Sequence, residues 1–125
     1  MQYSSQAINR AMRAMRCSPF EMKLFASMRL QSVSLSEISE QMGVQRQYTR
    51  HPLAELTAEN ALLWLIQVGI LRREVDGQGL TDSFRLTPLG RNLVEQWQHE
   101  EKAWGSPSLN DRLLNVFSRW LRLPA

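Results

Sequence analysis

Residues 57–98 read TAENALLWLIQVGILRREVDGQGLTDSFRLTPLGRNLVEQWQ and contain the pattern that decides the fold. Apolar residues recur at helical spacing from the start of this stretch to Gly69, a residue suited to ending a helix. Two short β-like segments then surround an Asp76-Gly77 turn, and a further helix opens at Thr87. The stretch therefore predicts a helix, a hairpin and a second helix, in that order.

The predicted hairpin has strands at 70–75 and 83–86. Apolar residues alternate with Arg85 in the second strand, which is typical of a strand with one buried face. The connection at 76–82 contains two glycines and two aspartates, and such residues suit a mobile tip. We therefore expect a mainly α protein with a small antiparallel β-hairpin.

Length and composition limit the class of protein. The 125 residues, 43% of them apolar, suffice for one compact domain and are too few for two. No apolar run approaches the roughly 20 residues of a membrane span, and residues 1–17 lack a secretory core. The single cysteine, Cys17, excludes an internal disulfide framework and fits a reducing compartment. We expect a cytoplasmic protein that makes no membrane contact.

The net charge of +3 is distributed unevenly. Residues 1–56 contain seven basic and four acidic side chains, which gives +3. Residues 57–99 contain four basic and five acidic side chains, which gives −1, and the remaining residues contribute +1. A basic first half is compatible with nucleic-acid binding, but a charge of this size does not require it.

Three helices are predicted before the central stretch. Residues 5–16 have an amphipathic helical pattern, and Ser18 followed by Glu21 is a capping-box signal for a second helix. In the segment LSEISEQMGV, Ser36 suits the start of a third helix and Gly43 suits its end. These signals place helices on the N-terminal side of the hairpin.

The predicted organisation is an N-terminal amphipathic helix in 1–17, a domain at 18–99, and a linker with an apolar C-terminal helix at 100–125. Together they form one compact domain. The first helix has an arginine at every third position, which either contacts phosphates or, as is more common, forms a solvated face. These residues are Arg10, Arg13 and Arg16.

The segment 44–56 separates the third predicted helix from Thr57, the capping signal of the fourth. A helix-turn-helix turn has only about 3–4 residues, so we expect an inserted loop, with a possible turn of helix near its end. Loops on a rigid scaffold often carry function, so DNA binding, partner binding and a solvated loop all stay open. The basic and aromatic residues of this insert are Arg46, Tyr48, Arg50 and His51.

The chain resembles the winged helix-turn-helix family of bacterial transcriptional regulators, especially multidrug-resistance-type repressors and their relatives. Three sequence segments carry the resemblance: LSEISEQMGV, LLWLIQVGILRRE and FRLTPLGRNLVEQW. They cover about half the chain and follow the family's order. The resemblance implies a winged-helix fold with additional N- and C-terminal helices. It also implies a homodimer whose interface is formed by those terminal helices.

Family members place the third helix of the domain in the major groove and the wing against the DNA backbone or minor groove. The resemblance therefore implies double-stranded DNA as the partner, with Asn60 and Gln67 reading adenine edges and Glu59 accepting from cytosine. The outward positions expected on this helix are Ala58, Glu59, Asn60, Leu63, Trp64 and Gln67.

This helix contains no arginine or lysine, whereas phosphate neutralisation supplies most of the affinity for DNA. The positive charge for DNA binding must therefore come from the insert and the wing. Arg72 has an alternative role as a ladder partner of Glu74 or Asp82. The candidate phosphate-contacting residues are Arg46, Arg50, Arg72, Arg73 and Arg85.

A second interpretation is a winged-helix module that binds a protein. Exposed Leu63 and Trp64 suit protein–protein hot spots better than groove recognition. The residue types on this helix favour protein binding, whereas the family resemblance favours DNA binding. An enzyme is not expected, because His51 and His99 are far apart and no metal, cofactor or nucleophile motif is present.

Overall fold

The computed structural model of the chain describes residues 4–99. Within them, six α-helices accompany one small antiparallel sheet. The predicted combination of helices with a small hairpin is confirmed, and the expected helix within 100–125 lies outside the described residues. The elements are α1 (Ser5–Cys17), α2 (Met22–Met28), β1 (Val33–Ser34), α3 (Leu35–Ile38), α4 (Glu40–Gln45), α5 (Glu55–Gln67), β2 (Leu71–Asp76), β3 (Gly79–Leu86) and α6 (Pro88–His99).

The sheet has the strand order β1-β3-β2, so β3 is central. Both neighbours of β3 are antiparallel to it. Strand β1 is only two residues long, and its Val33 pairs with Phe84 of β3. The opposite side of β3 pairs Leu86 with Leu71. The buried residues Val33, Phe84, Leu71 and Leu86 thus hold the sheet against the helices.

The hairpin turn is tighter than the sequence predicted. Asp76 pairs with Gly79, so only two residues make the turn. The Asp76 carboxylate accepts a hydrogen bond from the Gln78 N–H at 2.7 Å, and Gly79 has a φ of +118° that favours glycine. The connection predicted over 76–82 is therefore too long, since strand β3 already begins at Gly79.

A single hydrophobic cluster links the helices to the sheet. Met15 of α1, Phe25 of α2, Leu65 of α5 and Phe84 of β3 are fully buried members of it. The Phe25 ring lies 5.7 Å from the Trp97 ring of α6. The cluster therefore contains residues from both ends of the described chain, which fixes α5 and the hairpin in one packed body.

Helix α2 starts three residues later than the capping box predicts, with Glu21 rather than Ser18 before its first residue. Ser18 instead ends α1, donating both its N–H and its hydroxyl to the Met15 carbonyl. Phe20 forms an isolated antiparallel bridge with Thr49. Extended backbone at Phe20 is incompatible with helix, so this tertiary contact overrides the local capping signal.

The LSEISEQMGV segment forms two short helices. Ser34, rather than Ser36, caps α3 in a reciprocal capping box with Glu37. Gly43 does not end a helix but lies inside α4, where a Cβ would stand 1.9 Å from the Ile38 carbonyl oxygen. Glycine is required there because α4 packs directly against the end of α3.

The predicted insert is shorter than expected, since α4 extends to Gln45 and α5 already begins at Glu55. Thr57 is therefore inside α5 and does not cap it. The connection is anchored rather than loosely solvated. Tyr48 and Thr49 are buried, and the Tyr48 carbonyl accepts the Glu21 N–H at 2.8 Å.

Candidate functional site

One narrow face of α5 is open to solvent. Because successive helical residues are about 100° apart, its five side chains fall within an arc of about 100°. Two of them are large and apolar: Leu56 is 66% exposed and Leu63 is 40% exposed. Two are neutral and polar, and one is acidic. We call this set the α5 stripe: Leu56, Glu59, Asn60, Leu63 and Gln67.

Two of the six predicted outward positions are wrong. Ala58 is fully buried and Trp64 is only 5% exposed. Both belong to the hydrophobic cluster, together with Ala61 and Leu62. Helix α5 is covered on most of its circumference, because α1, α3 and β2 all pack against it. Trp64 therefore stabilises the core and is not accessible to a partner.

Arg73 of β2 is held by several groups of the protein itself. Its guanidinium donates to the Thr81 carbonyl at 3.2 Å and lies 3.4 Å from the Asp82 carboxylate. The same group is 3.9 Å from the Glu59 carboxylate of the α5 stripe. It also lies 5.1 Å from the Phe84 ring centre, a cation–π contact. Arg73 thus connects α5 to the hairpin.

On the other face of the hairpin, one carboxylate lies between two arginines. Arg72 and Arg85 are direct partners in the β2–β3 ladder, an arrangement that alone would be repulsive. Glu74 relieves it, with one oxygen 3.4 Å from Arg85 and the other 3.9 Å from Arg72. Arg72 thus has Glu74 as an ion-pair partner along the same strand, whereas its ladder partner is Arg85 rather than the expected Glu74 or Asp82.

All three predicted wing arginines are therefore paired with carboxylates. Residues 55–86, which comprise α5 and the hairpin, contain five acidic and three basic side chains, so their net charge is −2. A net negative charge on these elements opposes the approach of a polyanion.

The end of the hairpin is apolar rather than basic. Val75 and Leu80 are partners in the ladder, and both are more than half exposed. Between them the turn contains one charge, the Asp76 carboxylate.

The connection between α4 and α5 has a different charge. Arg46 is exposed and makes no ion pair with another described residue. Arg50 is bound to Glu21 at 2.6 Å, and Lys23 donates to the Gln47 side chain at 3.4 Å. Lys23 of α2 thus contacts the same connection through Gln47, and among the three cations only Arg50 has a carboxylate partner within the described residues.

The arginine row of α1 is half-buried. The Nε atoms of Arg10, Arg13 and Arg16 are shielded from solvent. The two alternatives for this row, a phosphate-contacting strip and a solvated face of a packed helix, both stay predictions, because partial burial is compatible with either. Its guanidinium groups are consequently only partly available to a ligand.

Within residues 4–99 there is no cluster of three or more His, Cys, Asp or Glu side chains that could hold a metal ion. His51 is exposed. No helix in the same range has the length and apolarity needed to cross a membrane.

Three of the exposed apolar residues were missed by sequence reasoning. The sequence places Leu56 in the insert, because the capping signal at Thr57 predicts a later start for α5 than Glu55. The sequence predicts Val75 at the end of a strand and Leu80 in a mobile tip, whereas the two-residue turn Gly77-Gln78 between Asp76 and Gly79 makes them ladder partners. Lys23 joins the insert arginines only through tertiary packing, which no local pattern indicates.

This geometry defines a class of small proteins in which short helices surround a three-stranded antiparallel sheet and one apolar helix is partly exposed. The family model of the Npun_F0494-like proteins matches residues 1–119. The chain therefore belongs to the Npun_F0494-like family. No curated protein and no solved structure matches it.

Proposed function

We propose that this protein is a winged-helix module that binds another protein through the α5 stripe. The order helix, strand, helices, strand, strand from α2 to β3 supports the winged-helix assignment, as does the central position of β3 between β1 and β2. In this arrangement α5 occupies the position of the third helix, and β2 with β3 forms the wing.

The charge of α5 and the hairpin is the observation that carries the proposal. A winged helix that binds DNA presents these elements to phosphates, and neutralising phosphates supplies most of the affinity. Here the net charge of 55–86 is −2. Arg72, Arg73 and Arg85 are each within 4 Å of a carboxylate. Binding DNA with them would require breaking these pairs.

The exposed leucines favour a protein as the partner. Leu56 and Leu63 project from a rigid helix, and apolar side chains on such a surface serve as anchors when they become fully buried. Glu55 and Glu59 flank them and are the only charged residues of α5. The complementary partner surface is therefore apolar with a positively charged edge.

DNA binding remains the second candidate because of the connection between α4 and α5. Arg46 is exposed with no carboxylate partner among the described residues, and Lys23 and Arg50 lie on the same local surface. In this case Arg46 and Arg50 contact the backbone, while Glu59, Asn60 and Gln67 face the bases.

Fluorescence anisotropy with mixed-sequence duplex DNA at two salt concentrations separates the candidates. We expect no saturable binding at low salt. Salt-sensitive binding weakened by Arg73→Ala plus Arg85→Ala would overturn the proposal in favour of a DNA-binding wing. Binding weakened by Arg46→Ala, with the wing variants unaffected, would instead support DNA contact through the insert. Circular dichroism of each variant controls for loss of folding.

A photo-crosslinking amino acid at position 63 tests the protein partner directly in native cells. We expect a discrete protein adduct that excess wild-type protein suppresses and the Leu56→Glu plus Leu63→Glu variant does not. The matched control is the same crosslinker at Leu30, an equally apolar and more exposed residue at the end of α2. Identical adducts from both positions would contradict a specific role for the α5 stripe.

A further inference from the structure

We infer that the α5 stripe binds residues 108–122 of a second copy of this chain. This inference rests on the proposed function and names the partner. Residues 108–122 lie outside the described residues and contribute through their sequence alone. Their apolar side chains recur at helical spacing: Leu109, Leu113, Val116, Phe117, Trp120 and Leu121.

The two segments have opposite charge. Helix α5 contains two glutamates and no basic residue, which gives −2. Residues 108–122 contain three arginines and one aspartate, which gives +2. The segment thus has both properties required of the partner, an apolar row and a positively charged edge. Complementary charge of this kind selects a partner and its orientation.

The positions of the charges also define a direction. At about 100° per residue, Glu55 and Glu59 lie on one flank of the row formed by Leu56 and Leu63. In a helix over 109–121, Arg112 and Arg119 would lie on the same side of the apolar row as the glutamates do in α5, when each helix is viewed from its N-terminus. These matching sides face each other when two helices pack antiparallel.

An antiparallel arrangement brings the start of α5 to the end of the segment. Arg119 would then lie near Glu55 and Glu59, while Leu113 would pack toward Leu63. Glu55 is exposed, and Glu59 is shared with Arg73 at 3.9 Å. Glu55 is therefore the better partner for Arg119.

Exchange between two copies makes the contact twice, as two-fold symmetry requires. Leu56 and Leu63 are open to solvent in the single chain, so the stripe is accessible to a second copy. The second contact adds to the first, because after one segment has bound the other is already close to its site.

Mixed disulfide formation tests the contact in the full chain. One protein carries Leu63→Cys and the other Leu113→Cys, both in a Cys17→Ser background. We expect a crosslinked heterodimer on mild oxidation, and far less with Leu30→Cys in place of Leu63→Cys. Equal crosslinking at positions 30 and 63 would overturn the inference.

Sedimentation equilibrium then measures the strength of the dimer. Leu63→Ser should raise the dimer Kd by about tenfold, whereas Leu30→Ser should leave it unchanged. Glu55→Arg or Arg119→Glu alone should raise the Kd by about two- to fivefold, and the two together should restore it. Circular dichroism of every variant shows whether it is folded.

A full chain that stays monomeric at high micromolar concentration overturns the inference. So does a dimer that Trp120→Ser weakens and Leu63→Ser does not, because residues 108–122 would then bind elsewhere. In both cases the α5 stripe could still bind a different protein. Photo-crosslinking from position 63 in cells tests that proposed function separately.

Discussion

The guanidinium carbon of Arg73 lies 5.1 Å from the centre of the Phe84 ring, and the two residues face each other in the β2–β3 ladder. The same guanidinium donates to the Thr81 carbonyl and lies within 4 Å of the carboxylates of Asp82 and Glu59. Arg73 is therefore a structural residue that secures the hairpin to α5.

Replacing Arg73 by alanine should lower the free energy of unfolding by about 1–2 kcal/mol, since a cation–π contact and a hydrogen bond are lost together. Urea denaturation measures the change. The matched control is Arg72→Ala, whose side chain is 51% exposed and has a single ion pair at 3.9 Å. That change should stay within about 0.5 kcal/mol. Equal losses from both variants would refute the securing role of Arg73.

Thr87 joins the start of α6 to the root of the hairpin. Its hydroxyl accepts the Gly90 N–H at 3.0 Å and donates to the carbonyls of Gly69 and Ile70. Thr87→Ala should cost about 1–2 kcal/mol, as the loss of a helix cap does. Thr57→Ala is the control, because Thr57 is exposed within α5. Thermal denaturation should separate the two, and an equal response would show that the Thr87 hydroxyl contributes nothing.

Gly90 has no space for a side chain. A Cβ there would stand 2.2 Å from the Ile70 carbonyl oxygen, a backbone atom that cannot yield easily. We expect Gly90→Ala to lower the free energy of unfolding by more than about 2 kcal/mol, as overpacking does. Gly77→Ala provides the comparison, since nothing lies within 4 Å of the added atom. A Gly90→Ala protein that melts like the wild type would contradict this close approach of α6 to the hairpin root.

Neighbouring residues of α5 should respond very differently to truncation. Trp64 is 5% exposed, so Trp64→Ala leaves a large cavity and should cost about 3–5 kcal/mol. Leu63 is 40% exposed, and Leu63→Ala should cost less than about 1 kcal/mol. Chemical denaturation of the two variants measures both values. Binding assays should accordingly use Leu63, because loss of binding in Trp64→Ala would report unfolding.

Local sequence signals were sufficient where neighbouring residues decide the structure. Helix α1, predicted at 5–16, is found at Ser5–Cys17, and the helix predicted to open at Thr87 begins at Pro88 with Thr87 as its cap. The signals failed where distant residues decide. Phe20 is held extended by Thr49, which delays α2. The sequence predicts a helix end at Gly43, whereas the reason for glycine there is its close contact with Ile38.

The candidate site was less predictable than the fold. A helical wheel identified Leu63 as outward correctly, but it could not foresee that α1, α3 and β2 leave only a narrow face of α5 open, which buries Trp64. The ion pairs of the hairpin were even harder to predict from the sequence. Arg73 and Arg85 are isolated cations along the sequence, and only the folded hairpin brings Asp82 and Glu74 to them.

The narrowness of the α5 stripe has a consequence for how this protein can change over evolutionary time. The buried positions of α5 are constrained by the interior, whereas Leu56, Asn60, Leu63 and Gln67 are exposed to solvent. Substitutions at these four positions leave the fold intact. Related chains can therefore diverge in what they recognise while keeping one scaffold, and grafting the four residues from one relative onto another would transfer its preference.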